Sequence, residues 1–148
     1  MIDLPETGDR YISVAVMDMW TDNIAILGTR TTGGSGGRYT IVGPDAGTEG
    51  IKGPVIRSTT PICWVLARIL VAGPEDLAEA GAVQDGLVLQ MPPPPNTPVG
   101  DPAQGTRTAP WREYFAQAAD LLRLHRPRAT DMGVMQRIAP LGLDDPDG

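Results

Sequence analysis

A chain of 148 residues is about one domain's worth of polypeptide and long enough to bury a sizeable core. With 41% hydrophobic and 20% charged residues, it belongs with neither membrane proteins nor disordered acidic tails. Twelve basic residues against 18 acidic ones give a net charge of −6, so no basic field stands ready to displace the counterions of nucleic acid, and nucleic acid is not an expected partner.

The 18 glycines and 15 prolines are roughly double the usual combined share of about 12%, which predicts many turns and short strands rather than a helical bundle. One cysteine allows no internal disulfide and no cysteine-rich zinc site. One histidine allows no histidine-based metal cluster. No metal and no cofactor is therefore expected. Residues 1–10 have no basic region followed by an apolar run, and no window approaches about 18 consecutive apolar residues. The chain as it stands reads as cytoplasmic, with no membrane partner.

In chain order, Tyr11–Met19 alternates with Ile12, Val14 and Val16 on one face and predicts a strand. Trp20–Asn23 reads as a turn and Ile24–Leu27 as the returning strand. Arg38–Val42 is a strand ended by Gly43-Pro44, a glycine-rich loop covers Asp45–Gly53, and a short strand surrounds Val55–Arg57. Ile62–Val71 is apolar on both faces, as in a strand covered on two sides. Gly73-Pro74-Glu75-Asp76 predicts a helix start, with proline at the first position and acids at the positive end of the dipole. That helix runs to about Gln84 and stops at Asp85-Gly86, and Leu87–Gln90 makes a last short strand.

Residues 92–110 carry seven prolines and predict an extended spacer. Beyond it, Trp111, Tyr114, Phe115, Ala118, Leu121 and Leu122 form one stripe of a helix that Pro127 stops. Thr130 is placed to cap a short helix carrying Met132, Met135 and Ile138. The expected organisation is a β-rich sandwich segment with one helix over 1–91, the spacer over 92–110, a helical segment docking on the sandwich over 111–143, and a disordered tail over 144–148. The fold class is mainly β with C-terminal α, a partial antiparallel β-sandwich with inserted helices.

Few side chains carry chemistry. The run Gly28–Gly37 can turn backbone N–H groups toward an anion, with Arg30 adding charge. It lacks the lysine of a P-loop and leads into a strand instead of a helix, so a hairpin connection is the preferred reading. Asp18 continues the apolar row of Ile12, Val14 and Val16, where a bare carboxylate is costly. Arg68 is in phase with Trp64, Leu66 and Leu70, and Arg30 with Ile24 and Ile26. A tight hairpin keeps Arg30 about 17 Å from Asp18, which leaves Arg68 as the expected partner of a structural ion pair. The alternative is a ligand-binding cluster of Asp18, Trp20, Arg30, Thr31 and Arg68 for a small polar ligand. Cys63 lies in an apolar strand and reads as an inert thiol. His125 sits in the last turn of the long helix, where a cation suits the dipole.

Asp9-Arg-Tyr11, Asp18-Met-Trp20, Gly28-Thr-Arg-Thr-Thr-Gly33, Ile41-Val-Gly-Pro44, Ile56-Arg57, Pro61, Trp64, Arg68, Gly73-Pro74-Glu-Asp76 and Gln84-Asp-Gly86 stand in an order that resembles the bacterial family called domain of unknown function 1254. The resemblance spans about Pro5 to Leu143. It implies a β-sandwich with inserted helices and no agreed activity or catalytic residues. Family members typically have earlier strands with an Asn-Pro-Asp-Thr-Leu-Tyr block and a second domain numbered 1214, and many carry signal peptides. This chain shows none of the three.

A sandwich begun at its middle exposes a strand edge, and the edge expected to be open is that of Tyr11–Met19. The expected function is a non-catalytic module for binding or assembly, as a homo-oligomer or with a separately encoded partner domain. The alternative is a fragment of a hydrolytic or carbohydrate-active enzyme whose site other segments complete.

Overall fold

Strand β2 (Ile12–Asp18) has two unlike faces, and the fold is organised around the difference. Ile12, Val14, Val16 and Asp18 point inward and are buried, whereas Ser13 and Met17 on the other face are half-exposed. The computed structural model describes residues 1–91 and 109–143. Around β2 stand β1 (Ile2–Leu4), β3 (Asn23–Gly28), β4 (Gly37–Val42), β5 (Val55–Arg57), β6 (Cys63–Ile69) and β7 (Val88–Leu89). They form two sheets, one in the order β5-β4-β1-β7 and one in the order β3-β2-β6. All neighbours are antiparallel except the parallel pair β4–β5.

The two sheets enclose a core of Ile2 and Leu4 from one layer with Ile12, Val14, Val16 and Leu27 from the other. Val14 and Val16 are wholly buried, each worth about 1.5–3 kcal/mol in removed apolar surface. A 3-10 turn (Pro74–Asp76) leads into helix α1 (Leu77–Gly86), whose Val83 packs against this core together with Leu87 just beyond it. The mainly β architecture with helices is as the sequence led us to expect.

Three expectations change. Tyr11–Met19 is not an edge: β2 is the central strand of its sheet, paired to β3 on one side and β6 on the other. The strand β1, three residues long, lies between β4 and β7 and was not anticipated. The strand β6 is not covered on two sides, because Trp64, Leu66, Arg68 and Leu70 just after it stay exposed on the outer face.

The chain divides into two compact units, residues 1–92 and 93–148. In the second, α2 (Trp111–Leu124) is followed by a 3-10 turn (Ala129–Asp131), α3 (Met132–Ile138) and a further 3-10 turn (Ala139–Leu141). Thr130 lies inside the 3-10 turn and caps nothing, whereas Arg128 pairs with Asp131 at 2.8 Å. Most of the spacer expected over 92–110, and the tail over 144–148, lie outside the described residues.

One ion pair fastens the loop before β2 to the start of α1. Arg10 Nη1 donates to Asp76 Oδ2 at 2.6 Å and to the Leu70 carbonyl at 2.8 Å. Its Nη2 pairs with the other Asp76 oxygen and reaches Glu79 Oε2 at 3.2 Å. The Asp76 carboxylate, which also accepts the Ala72 N–H, is held at a pKa of about 2 against an ordinary 3.8, chiefly by Arg10. An unfolded chain binds the proton first, so the stability this pair contributes is complete above the ordinary value and disappears as pH falls toward about 2. Thermal melts of the natural chain and Asp76→Asn across this range are expected to differ at neutral pH and to converge in acid. A constant difference down to the lowest pH contradicts the pairing.

Candidate functional site

The buried carboxylate of Asp18, with 1% of its surface exposed, is the group most in need of explanation. Its Oδ1 accepts the N–H groups of Trp20 at 2.9 Å and Asp22 at 3.0 Å. Its Oδ2 accepts the hydroxyl of Thr59. The Asp18 N–H donates to the Asp22 carbonyl and the Thr21 N–H to the Asp18 carbonyl, which holds Thr21 in a left-handed conformation at φ 67°. Carboxylate and turn therefore specify each other: the turn aims amide hydrogens inward, and the carboxylate gives them an acceptor.

A second layer of hydroxyls joins this turn to the crossing between sheets. Thr60 Oγ1 accepts the Met19 N–H at 3.1 Å and donates to the Ile62 carbonyl at 2.6 Å. Ser58 Oγ donates to the Thr60 carbonyl at 2.7 Å and accepts the Thr60 N–H at 3.2 Å. Ser58 and Thr60 are buried, and with Thr59 they carry the chain from β5 in one sheet to β6 in the other. Sequence reasoning passed over these three. The available signal was three adjacent hydroxyl residues between two strands.

The expected Asp18–Arg68 ion pair is absent. Across the ladder Asp18 stands opposite Cys63 and Arg68 opposite Ser13, five residues apart, or about 17 Å. Asp18 points into the core, whereas Arg68 is exposed on the outer face. The five candidate residues also separate. Asp18 and Trp20 lie at the hairpin end of the sheet, and Arg30, Thr31 and Arg68 at the opposite end. The Arg30 guanidinium lies 5.7 Å from the centre of the Tyr11 ring, a cation–π contact.

The glycine run is a closed connection, not an anion cradle at its start. The N–H groups of Thr31, Thr32 and Gly33 all donate to the Gly28 carbonyl, at 3.0, 2.8 and 3.1 Å. Gly28 has φ 124°, and a Cβ there would stand 2.2 Å from the Ile12 carbonyl oxygen. A Cβ on Gly34 would stand 2.1 Å from the Gly8 carbonyl oxygen, so the run packs on the loop before β2.

Cys63 is half-buried on the inner face, and burial pushes its thiol above the usual range. His125 directly follows α2, is 3% exposed, and has no hydrogen-bond partner at either ring nitrogen among the described residues. Burial lowers its pKa below the ordinary 6.5, which works against the dipole-stabilised cation expected from its place in the chain. A cleft of about 250 Å³ in the same unit, between Arg126 and Met135, brings no acid–base pair together. Among the described residues no group of three or more His, Cys, Asp or Glu side chains is placed to hold a metal ion. No helix there is long and apolar enough to cross a membrane.

The family model described as protein of unknown function (DUF1254) matches residues 1–91. The crystal structure of the VPA0106 protein from Vibrio parahaemolyticus is similar, with a TM-score of 0.66 at 19% identity. The match covers 93% of this chain and 35% of that one, so this chain spans about a third of that protein's length. No curated protein matches the sequence.

Two measurements follow from this geometry. Asp18→Ala removes an acceptor from two backbone amides and is expected to cost about 2–3 kcal/mol, while Asp18→Asn, which keeps one oxygen for them, costs about 1 kcal/mol. Equal losses in denaturant melts contradict the assignment of the carboxylate to the turn. The sole histidine gives one imidazole signal in proton NMR. Its titration midpoint is expected below 6.5, and a midpoint at or above that value contradicts the burial of the ring.

Proposed function

This chain belongs to the family of proteins of unknown function DUF1254, and from that premise we propose that it is a non-catalytic binding or assembly module whose contact surface is the outer face of the β3-β2-β6 sheet. The observation that carries the reading is a row of exposed apolar side chains. Trp64 is 58% exposed, Leu66 41% and Leu70 54%, with Ile26 on β3 at 46%. The register sets Ile26 and Leu66 on either side of Ala15, so the patch is continuous across the sheet. Contiguous apolar surface of this kind on a soluble protein marks a contact site.

The polar groups support the same reading by what they already do. One Asp18 oxygen accepts the amides that shape the turn and the other accepts the Thr59 hydroxyl of the crossing between sheets, while the Arg10 guanidinium is occupied by Asp76. A carboxylate with 1% of its surface exposed offers a substrate no approach.

Sedimentation of the full chain over rising concentration tests the proposal. Reversible association is expected, and it is lost in the double variant Trp64→Ser, Leu70→Ser, whose melting temperature stays close to that of the natural chain because both side chains are largely exposed. A chain that stays monomeric up to near-millimolar concentration, or association indifferent to Trp64 and Leu70, contradicts it.

A further inference from the structure

We infer that the outer edge of β6 pairs with β6 of a second copy of this chain, antiparallel, with Leu66 on the two-fold axis. The inference takes from the assembly reading above only that the chain associates; it places the contact at the sheet edge bordering that apolar face, and names its partner and its register.

The backbone decides which residues take part. In an antiparallel ladder, alternate residues turn both their N–H and C=O toward opposite neighbours. The Leu70 N–H donates to the Tyr11 carbonyl, and the pairing of β2 with β6 continues in that register. Trp64, Leu66 and Arg68 therefore bond to β2. Cys63, Val65, Ala67 and Ile69 present their N–H and C=O groups to the other side, where β6 has no strand neighbour among the described residues.

The other edges are poorer templates. The strands β5 and β7 are three and two residues long. In β3 the ladder shifts where Met17 pairs with Asn23 and Val16 with Ala25, and a bulge of this kind blunts an edge against pairing. The strand β6 is seven residues long, regular, and free of the proline and lysine that protect exposed edges.

The sequence of β6 complements itself about one centre. Pairing its four outward-bonding residues with the same four in a second copy requires Cys63 opposite Ile69 and Val65 opposite Ala67, which places Leu66 opposite Leu66. A centre at Val65 calls on Pro61, which has no N–H, and a centre at Ala67 leaves Cys63 opposite a residue beyond the strand. With Leu66 at the centre, each Arg68 faces Trp64 of the other copy in a non-hydrogen-bonded pair, where side chains approach most closely. The cation is thus set beside the negative face of an indole, twice per dimer. The three-stranded sheet becomes six-stranded, and the half-buried inner residues of β6 gain apolar neighbours.

The test uses the full chain carrying Leu66→Lys or Leu66→Glu, two changes at a position already exposed. The natural chain is expected to be a dimer. Each variant alone sets like charges against each other on the axis and weakens the dimer at least about a hundredfold. An equimolar mixture of the two restores it as a heterodimer, which misfolded variants could not do. In a Cys63→Ser background, Leu66→Cys is expected to oxidise readily to a covalent dimer, because facing residues on this axis are about 4.5 Å apart at Cα. Association that survives both charge variants but needs Trp64 and Leu70 overturns the β6 pairing and leaves the assembly reading standing. A monomeric natural chain, or a mixture that stays monomeric, overturns the pairing.

Discussion

A carboxylate on the inward face of a central strand is the constraint from which the rest of this sandwich follows. Asp18 occupies the position that a fourth apolar residue would take after Ile12, Val14 and Val16. Left alone there it would cost several kcal/mol. The chain meets this cost locally, by folding Trp20 and Asp22 back so that their amides point at one oxygen, and at longer range, by bringing Thr59 to the other. The second contact matters more for the architecture, because Thr59 lies 41 residues away on the segment that changes sheets. One side chain thus closes a hairpin and fixes the entry of β6 beside β2.

That division of labour separates the two faces of the sheet. The inner face is committed to the core, and its polar groups are committed to turns and crossings. The outer face carries no such duty, yet it holds Ile26, Trp64, Leu66 and Leu70 in the open. Exposed apolar side chains add nothing to folding when they remain in water. Their presence in register across adjacent strands is the feature on which the proposed contact surface is based. The similarity to a third of a longer protein is a likeness of fold, and the proposed contact surface rests on the exposed apolar row of the sheet alone.

Much of this architecture was legible in the sequence, and the misreadings share a cause. Strong periodicity located β2, β6 and α2, because β-branched alternation and a helical stripe report local geometry directly. Phase along one strand reports which residues share a face but not which face meets the core. Arg68 was correctly grouped with Trp64 and Leu66, and only the pairing with Ser13 shows that this group points outward. The burial of Asp18 was legible for the same local reason, whereas its partners lay in a turn and in a loop too distant for periodicity to report. The strand β1 offers only three residues, too short for a pattern, although it joins β4 to β7. Arg10 and Asp76 are 66 positions apart, and neither position hints at the other.

The claim that ties these points together is that β6 finishes its hydrogen bonding on another molecule. Amide hydrogen exchange of the full chain, measured dilute and concentrated, tests it most directly. The account predicts that the edge-facing amides of Cys63, Val65, Ala67 and Ile69 exchange quickly when dilute and become protected on concentration, while those of Trp64, Leu66 and Arg68, already bonded to β2, are protected throughout. Equal, fast exchange of the four edge-facing amides at both concentrations would contradict it.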